Sequence, residues 1–162
     1  MNSIITDALN EQIKHEFASA YAYLAMAAWC DLSSYPGFAH WMRVQAQEEI
    51  NHGLRLFDYV NDRGALVQLQ EIGAPQAEFA SIIDILESTV EQESAQTERI
   101  LALYRKARET DAIATEVQLH WFVNEQVEEE KTAETLLQQV RRVGQDMAGL
   151  LVIDRRLAAR QV

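Results

Sequence analysis

The chain has 162 residues, with 25 Asp and Glu against 14 Lys and Arg and a formal net charge of −11. That length makes one ordinary domain able to bury a core without staples. The acidic balance argues against nucleic acid as a partner, and the lone Cys30 excludes an internal disulfide.

Only two Pro and six Gly interrupt a composition rich in helix formers, so the expected fold class is all-α. The stretch from Met1 to Asp7 lacks the basic start and apolar core of a leader peptide. No apolar run approaches the about 20 residues of a membrane span. The expectation is a soluble, cytoplasmic protein with no membrane partner.

The first predicted helix covers about 4–31, with an inward stripe of Ile5, Leu9, Ile13 (or Gln12), Glu16, Ala20, Tyr23 and Ala27 at spacings of three and four. It ends at the turn cluster Ser33-Ser34-Tyr35-Pro36-Gly37. The second covers about 38–63, with Phe38, Met42, Gln45, Glu49, His52, Leu56 and Tyr59 facing in, and stops at Gly64. A long linker to Ala80 follows. The third helix covers about 81–109, with the stripe Ile83, Leu86, Val90, Glu93, Thr97, Leu101 and Tyr104. The fourth follows at once, about 112–143, with Leu119, Phe122 or Val123, Gln126, Glu129 or Glu130, Ala133, Leu137 and Val140 inward and Gly144 closing it. A short fifth helix is expected at about 149–159.

Short links after the first and third helices imply antiparallel neighbours. Helices of this size span roughly 40 Å, and the linker of 64–80 reaches roughly 50 Å when extended. It can cross the whole bundle and leave the second and third helices parallel. A linker that loops out from an up-and-down bundle is the alternative.

Each apolar stripe carries a carboxylate near its middle, joined by His52 on the second helix and Gln126 on the fourth. An ionised carboxylate cannot persist alone in an apolar interior, and several together oppose one another's ionisation. No Lys or Arg interrupts the stripes, which leaves metal cations to balance them. Glu49 and His52 stand three residues apart on one helix face, and Gln126 and Glu129 repeat that spacing. With Glu16 and Glu93 this approaches a di-metal carboxylate pattern: one Glu from each of two helices and an i, i+3 pair from each of the others.

The chain resembles the bacterial non-haem ferritins along nearly its whole length. The resemblance rests on Leu9 to Gln12 leading to Glu16, Ala46 to Glu49 leading to His52, and Leu56 to Tyr59. It continues through Trp121 to Gln126, Glu128 to Lys131 and Gly149 to Asp154. It implies a ferritin-like four-helix bundle over about 4–143, with one long crossover and a short C-terminal fifth helix. The implied activity is storage of iron, with Fe(II) oxidised by dioxygen at a di-iron ferroxidase centre. Glu16 and His52 would bind the first iron, Glu49 would bridge, and Glu93 and Glu129 would bind the second. Gln126 would hydrogen-bond nearby, and Tyr23 matches a tyrosine beside the iron pair. Glu48, Glu125 and Glu128, sharing Glu129, match a third iron site. Haem is not expected, because Ile50 stands where haem-binding relatives carry a Met. The family also implies a homo-oligomeric shell of 24 subunits that buries the apolar fifth helix.

Plainer readings stand beside these. Gln126 reads equally as a buried amide, Tyr23 as a core aromatic, and Glu48, Glu125, Glu128 and Glu130 as a solvated acidic face. His15, His40 and His120 read as structural or surface residues. The other functional classes are a rubrerythrin-like peroxidase, a mini-ferritin with iron between subunits, and a non-catalytic helical assembly bundle.

Overall fold

A computed structural model describes residues 1–160. Five helices follow one another: α1 (Ser3–Leu32), α2 (Pro36–Asp62), α3 (Ile82–Glu109), α4 (Ile113–Val143) and α5 (Met147–Leu157). Their ends are chemically marked. The Asn2 side chain accepts from the Ile4 N–H at the start of α1, and Asp146 does the same for Ala148 at the start of α5. Ser81 caps α3, and Asp84 holds Ala80, the residue before Ser81. The Asp84 N–H reaches Ser81 Oγ at 3.2 Å, and the Ala80 N–H reaches Asp84 Oδ2 at 2.8 Å. α4 stops at Gly144, where φ is +58°.

Side-chain pairs give the helix directions. Arg43 meets Asp31 near the short turn and Glu49 lies opposite Glu16, so α1 and α2 are antiparallel. Across α1 and α3, Thr89 contacts Met26 and Gln96 contacts Glu16, again antiparallel. α2 and α3 are therefore parallel, which requires the long crossover. The linker starts beside Asn10, whose side chain bonds the Leu66 carbonyl at 3.2 Å and the Gln68 N–H at 3.1 Å. It ends where Phe79 meets Trp29 edge-on at 6.4 Å. It thus runs the length of α1. Among the described residues no helix is long and apolar enough to cross a membrane.

Three of the four inward stripes hold almost residue for residue; α3 does not. There the buried positions are Ile82, Ile85, Leu86, Thr89, Glu93, Gln96, Ile100, Leu103 and Ala107. Ile83, Val90, Thr97, Leu101 and Tyr104 sit at the half-exposed margin instead. The face is turned by about one residue around Leu86 and Glu93, because Ile82, Gln96 and Ile100 offer an equally apolar or polar alternative to their neighbours. On α2 the last buried residue is Val60, not Tyr59. On α4, Phe122 and Glu129 face inward rather than Val123 and Glu130.

Two expected turn residues lie inside helices. Pro36 opens α2 at its first turn, where a missing N–H costs nothing. Gly37 is buried against α5, and a β-carbon there would lie 1.7 Å from the Asp154 carbonyl oxygen. Asp154, 5% exposed, also accepts the Phe38 N–H at 3.0 Å, so its carboxylate caps the N-terminus of α2. The fifth helix is therefore seated by one glycine and one aspartate. Gly37→Ala is expected to lower stability by about 1–3 kcal/mol through overpacking, at roughly 2–4 °C of melting temperature per kcal/mol. A thermal melt indistinguishable from the parent would contradict this seating.

Candidate metal centre

The apolar core is in two parts. One cluster gathers Tyr23, Met26, Phe38, Met42, Leu86, Leu137 and Ile153. The other gathers Ile5, Leu9, Ile13, Leu56, Ile100, Leu119 and Phe122. Between them lies a belt of buried polar side chains: Gln12, Glu16, Gln45, Glu49, His52, Glu93, Gln96, Gln126 and Glu129. The four central carboxylates are between 0% and 6% exposed, and no Lys or Arg is buried with them.

One ligand atom each from Glu16, Glu49 and His52 lies within 4.8 Å of the others. His52 Nδ1 stands 4.0 Å from Glu16 Oε2 and equally far from Glu49 Oε2, too far for hydrogen bonds. A second trio under the same limit joins His52, Glu125 and Glu129. The imidazole is walled by Trp121 and Phe122, both edge-on, at 5.3 and 6.1 Å between ring centres. Arg55 covers Trp121 from outside at 4.1 Å.

The remaining carboxylates are held by neutral donors. Tyr23 donates to Glu93 Oε1, and Gln126 donates to Glu93 Oε2 at 3.3 Å. Gln45 donates to Glu129 Oε2 at 2.9 Å. Gln12 and Gln96 donate to the two oxygens of Glu16 at 2.9 and 2.5 Å. Glu49 differs. It is wholly buried, and among the described residues neither of its carboxylate oxygens accepts from a donor group.

Burial dominates the protonation of the belt. Desolvation pushes Glu16 and Glu129 up to about 7. It also raises Glu49 well above the ordinary carboxylate range, reinforced by the charges of Glu16 and Glu93, and raises Glu93 against the opposing bonds from Tyr23 and Gln126. Desolvation takes His52 down to about 4, so its imidazole is neutral and able to ligate. A cluster of acids that resists losing its protons beside a neutral imidazole is the electrostatic counterpart of a cation site.

The outer acids are arranged differently from the central ones. Glu125 approaches His52 and Glu129, whereas Glu48 belongs to neither trio and pairs with Arg160 at 2.7 Å. Glu128 is exposed. Glu93 also stands outside both trios, although its charge acts on Glu49. Sequence reasoning missed the amide donors Gln12, Gln45 and Gln96 as supports, and it missed Arg160. Gln45 and Gln12 were visible on the inward stripes, and Gln96 lies one turn after Glu93.

A ferritin-like domain model matches residues 6–143, which holds all four long helices and the belt. The chain belongs to the ferritin family. It is 44% identical over 160 residues to a bacterial non-heme ferritin of Staphylococcus saprophyticus, covering 99% of this chain and 96% of the relative. A bacterial non-heme ferritin of Staphylococcus aureus is 41% identical over 156 residues, covering 96% and 94%. Among solved structures, an open pore ferritin from Archaeoglobus fulgidus superposes with a TM-score of 0.98 at 40% identity, covering 99% of each chain. Cys30, outside the belt, is fully buried, and burial pushes its thiol up to about 12, which makes it an inert packing residue of this ferritin-family chain.

Proposed function

We propose that this chain stores iron, oxidising Fe(II) with dioxygen at the buried carboxylate belt and passing Fe(III) to a mineral held inside a shell of its own copies. The observation that carries the reading is Glu49. A fully buried carboxylate with two unpartnered oxygens, between the Glu16–His52 side and Glu93 and Glu129, is what a bridge between two cations requires. Glu16 and His52 hold the first Fe(II), and Glu93 and Glu129 the second, with Glu49 shared. Mixed carboxylate and imidazole ligation suits Fe(II). Each ion supplies one electron to dioxygen.

The surrounding side chains keep the acids aimed. Gln12 and Gln96 fix Glu16, Gln45 fixes Glu129, and Tyr23 with Gln126 fixes Glu93. Glu49 is left free to turn toward both ions. Cation binding displaces the protons that burial keeps on Glu16 and Glu129. Glu125 and Glu128 draw cations between the centre and the cavity, and Glu48 completes an outer, third iron position with them only when it is released from Arg160. Ile50 gives haem no ligand, and the reading includes none.

The shell accounts for α5. Met147, Leu151 and Val152 are exposed on it, alongside Leu32, Ile113 and Val127 elsewhere. Apolar surface of this kind calls for a cover, and further copies of the chain provide it, as a homo-oligomer of 24 subunits. The test is aerobic Fe(II) addition followed by ferric absorbance, with particle size measured on the same sample. Rapid absorbance growth on a particle many times the 18.5 kDa of one chain is expected. A small oligomer that takes up no iron would overturn the proposal and leave a helical assembly bundle.

A further inference from the structure

Positive charge is absent from the belt but present at its edge. Arg160, beyond the end of α5, turns back onto α2. Its Nη2 donates to Glu48 Oε2 at 2.7 Å, and its Nη1 donates to Gln45 Oε1. The guanidinium carbon lies 5.3 Å from the centre of the Trp41 ring, and His40 Nε2 donates to the Arg160 carbonyl at 2.7 Å. The tail is thus held at several points, by a residue 112 positions from its acidic partner in sequence. Gln45 passes the contact inward, because its amide nitrogen is the group that donates to Glu129.

Resting on the two-iron reading above, we propose that Arg160 is a built-in cation that stands in for a third metal ion at Glu48 and positions Glu129 through Gln45. With its carboxylate turned onto the guanidinium, Glu48 does not join Glu125 and Glu128 around an ion. Charge balance at the belt's edge is met by the chain itself. A fork-shaped, always-charged side chain suits this, since one donor arm takes the carboxylate and another the amide oxygen. The pair is partly exposed, with side chains 26% and 29% accessible, so a metal ion or mutation can displace it.

Anaerobic Fe(II) titration of the assembled, full-length protein by calorimetry tests this. The parent is expected to bind two ions per chain tightly and a third weakly. Arg160→Ala is expected to tighten the third by about tenfold, the scale of one lost charge-assisted hydrogen bond. Arg160→Lys, which keeps the charge but not the fork, is expected to fall between the parent and Arg160→Ala, and Glu48→Ala in the Arg160→Ala background is expected to return the count to two. Melting temperatures of the variants show that each is folded. A third ion bound equally by parent and Arg160→Ala, or equally tight binding of all three by the parent, overturns the role of Arg160 alone. A parent that binds no Fe(II) overturns the two-iron reading on which it rests.

Discussion

Glu49→Gln is expected to lose rapid Fe(II) oxidation and, in the metal-free protein, to melt at a higher temperature than the parent. Both effects come from one fact: this carboxylate is fully buried and no donor satisfies it. Removing a group that merely supports a metal ligand already costs about 10–100-fold. Losing the proposed shared ligand itself should lower the initial rate of ferric absorbance by at least about a hundredfold. The stability gain follows from the same desolvation. An unsatisfied buried polar group costs about 1–3 kcal/mol, more when charged, and an amide of the same shape cannot ionise beside Glu16 and Glu93 as the pH rises. A structural glutamate would behave in the opposite way, with lower stability and unchanged kinetics. Stopped-flow traces at the parental rate would end the assignment of Glu49 as the bridge. Sites tuned for function at the cost of stability generally show this divergence.

How much of this was readable in advance depended on what each residue's neighbours look like in sequence. On α1, Glu16 sits between Ile13 and Ala20 on an unambiguous stripe, and every inward position there is buried. On α2, Glu49 and His52 are fixed in phase by Met42 and Leu56 in the same way. On α3 the phase was ambiguous, because Ile82 and Ile83, or Gln96 and Thr97, are near-equivalent choices one residue apart. Glu93 was placed correctly only because both phases include it. The crossover was a matter of reach, and the contacts of Asn10 and Trp29 at its two ends match that reckoning. Gly37 looked like part of a turn, since glycine beside proline usually is. Its actual reason, the approach of Asp154 from 117 residues later in the chain, leaves no local trace. Arg160 was invisible for the same reason. Its partners are gathered by the seating of α5, and periodicity carries no information about that.

The metal-free protein is expected to become less stable as pH rises from about 5.5 to 7.5, and a bound divalent ion is expected to abolish or reverse that slope. Glu16 and Glu129 are raised from the ordinary carboxylate value of 4.5 to about 7 by burial, and Glu49 and Glu93 are raised as well. Between 4.5 and 7 the folded chain therefore holds protons that the unfolded chain has released. Stability from these groups is fully present below the unfolded value and is lost as pH climbs through the folded one. On the order of 3 kcal/mol is at stake for each carboxylate moved that far. His52 works the other way. Lowered from 6.5 to about 4, it penalises the folded state as pH drops below 6.5, because the unfolded imidazole takes up a proton there. One histidine opposes four carboxylates over that range and is silent above it, so the carboxylates decide the sign. A redox-inert ion such as Zn(II) requires the deprotonated acids, so its stabilisation should grow with pH over the same window and release protons on binding. Melting curves at three pH values, with and without Zn(II), and a paired Glu16→Gln, Glu129→Gln variant with a flattened metal-free slope, complete the measurement. A metal-free melting temperature that rises with pH across this window would mean that the belt acids are hydrated and not desolvated, and would overturn the burial argument for a cation site.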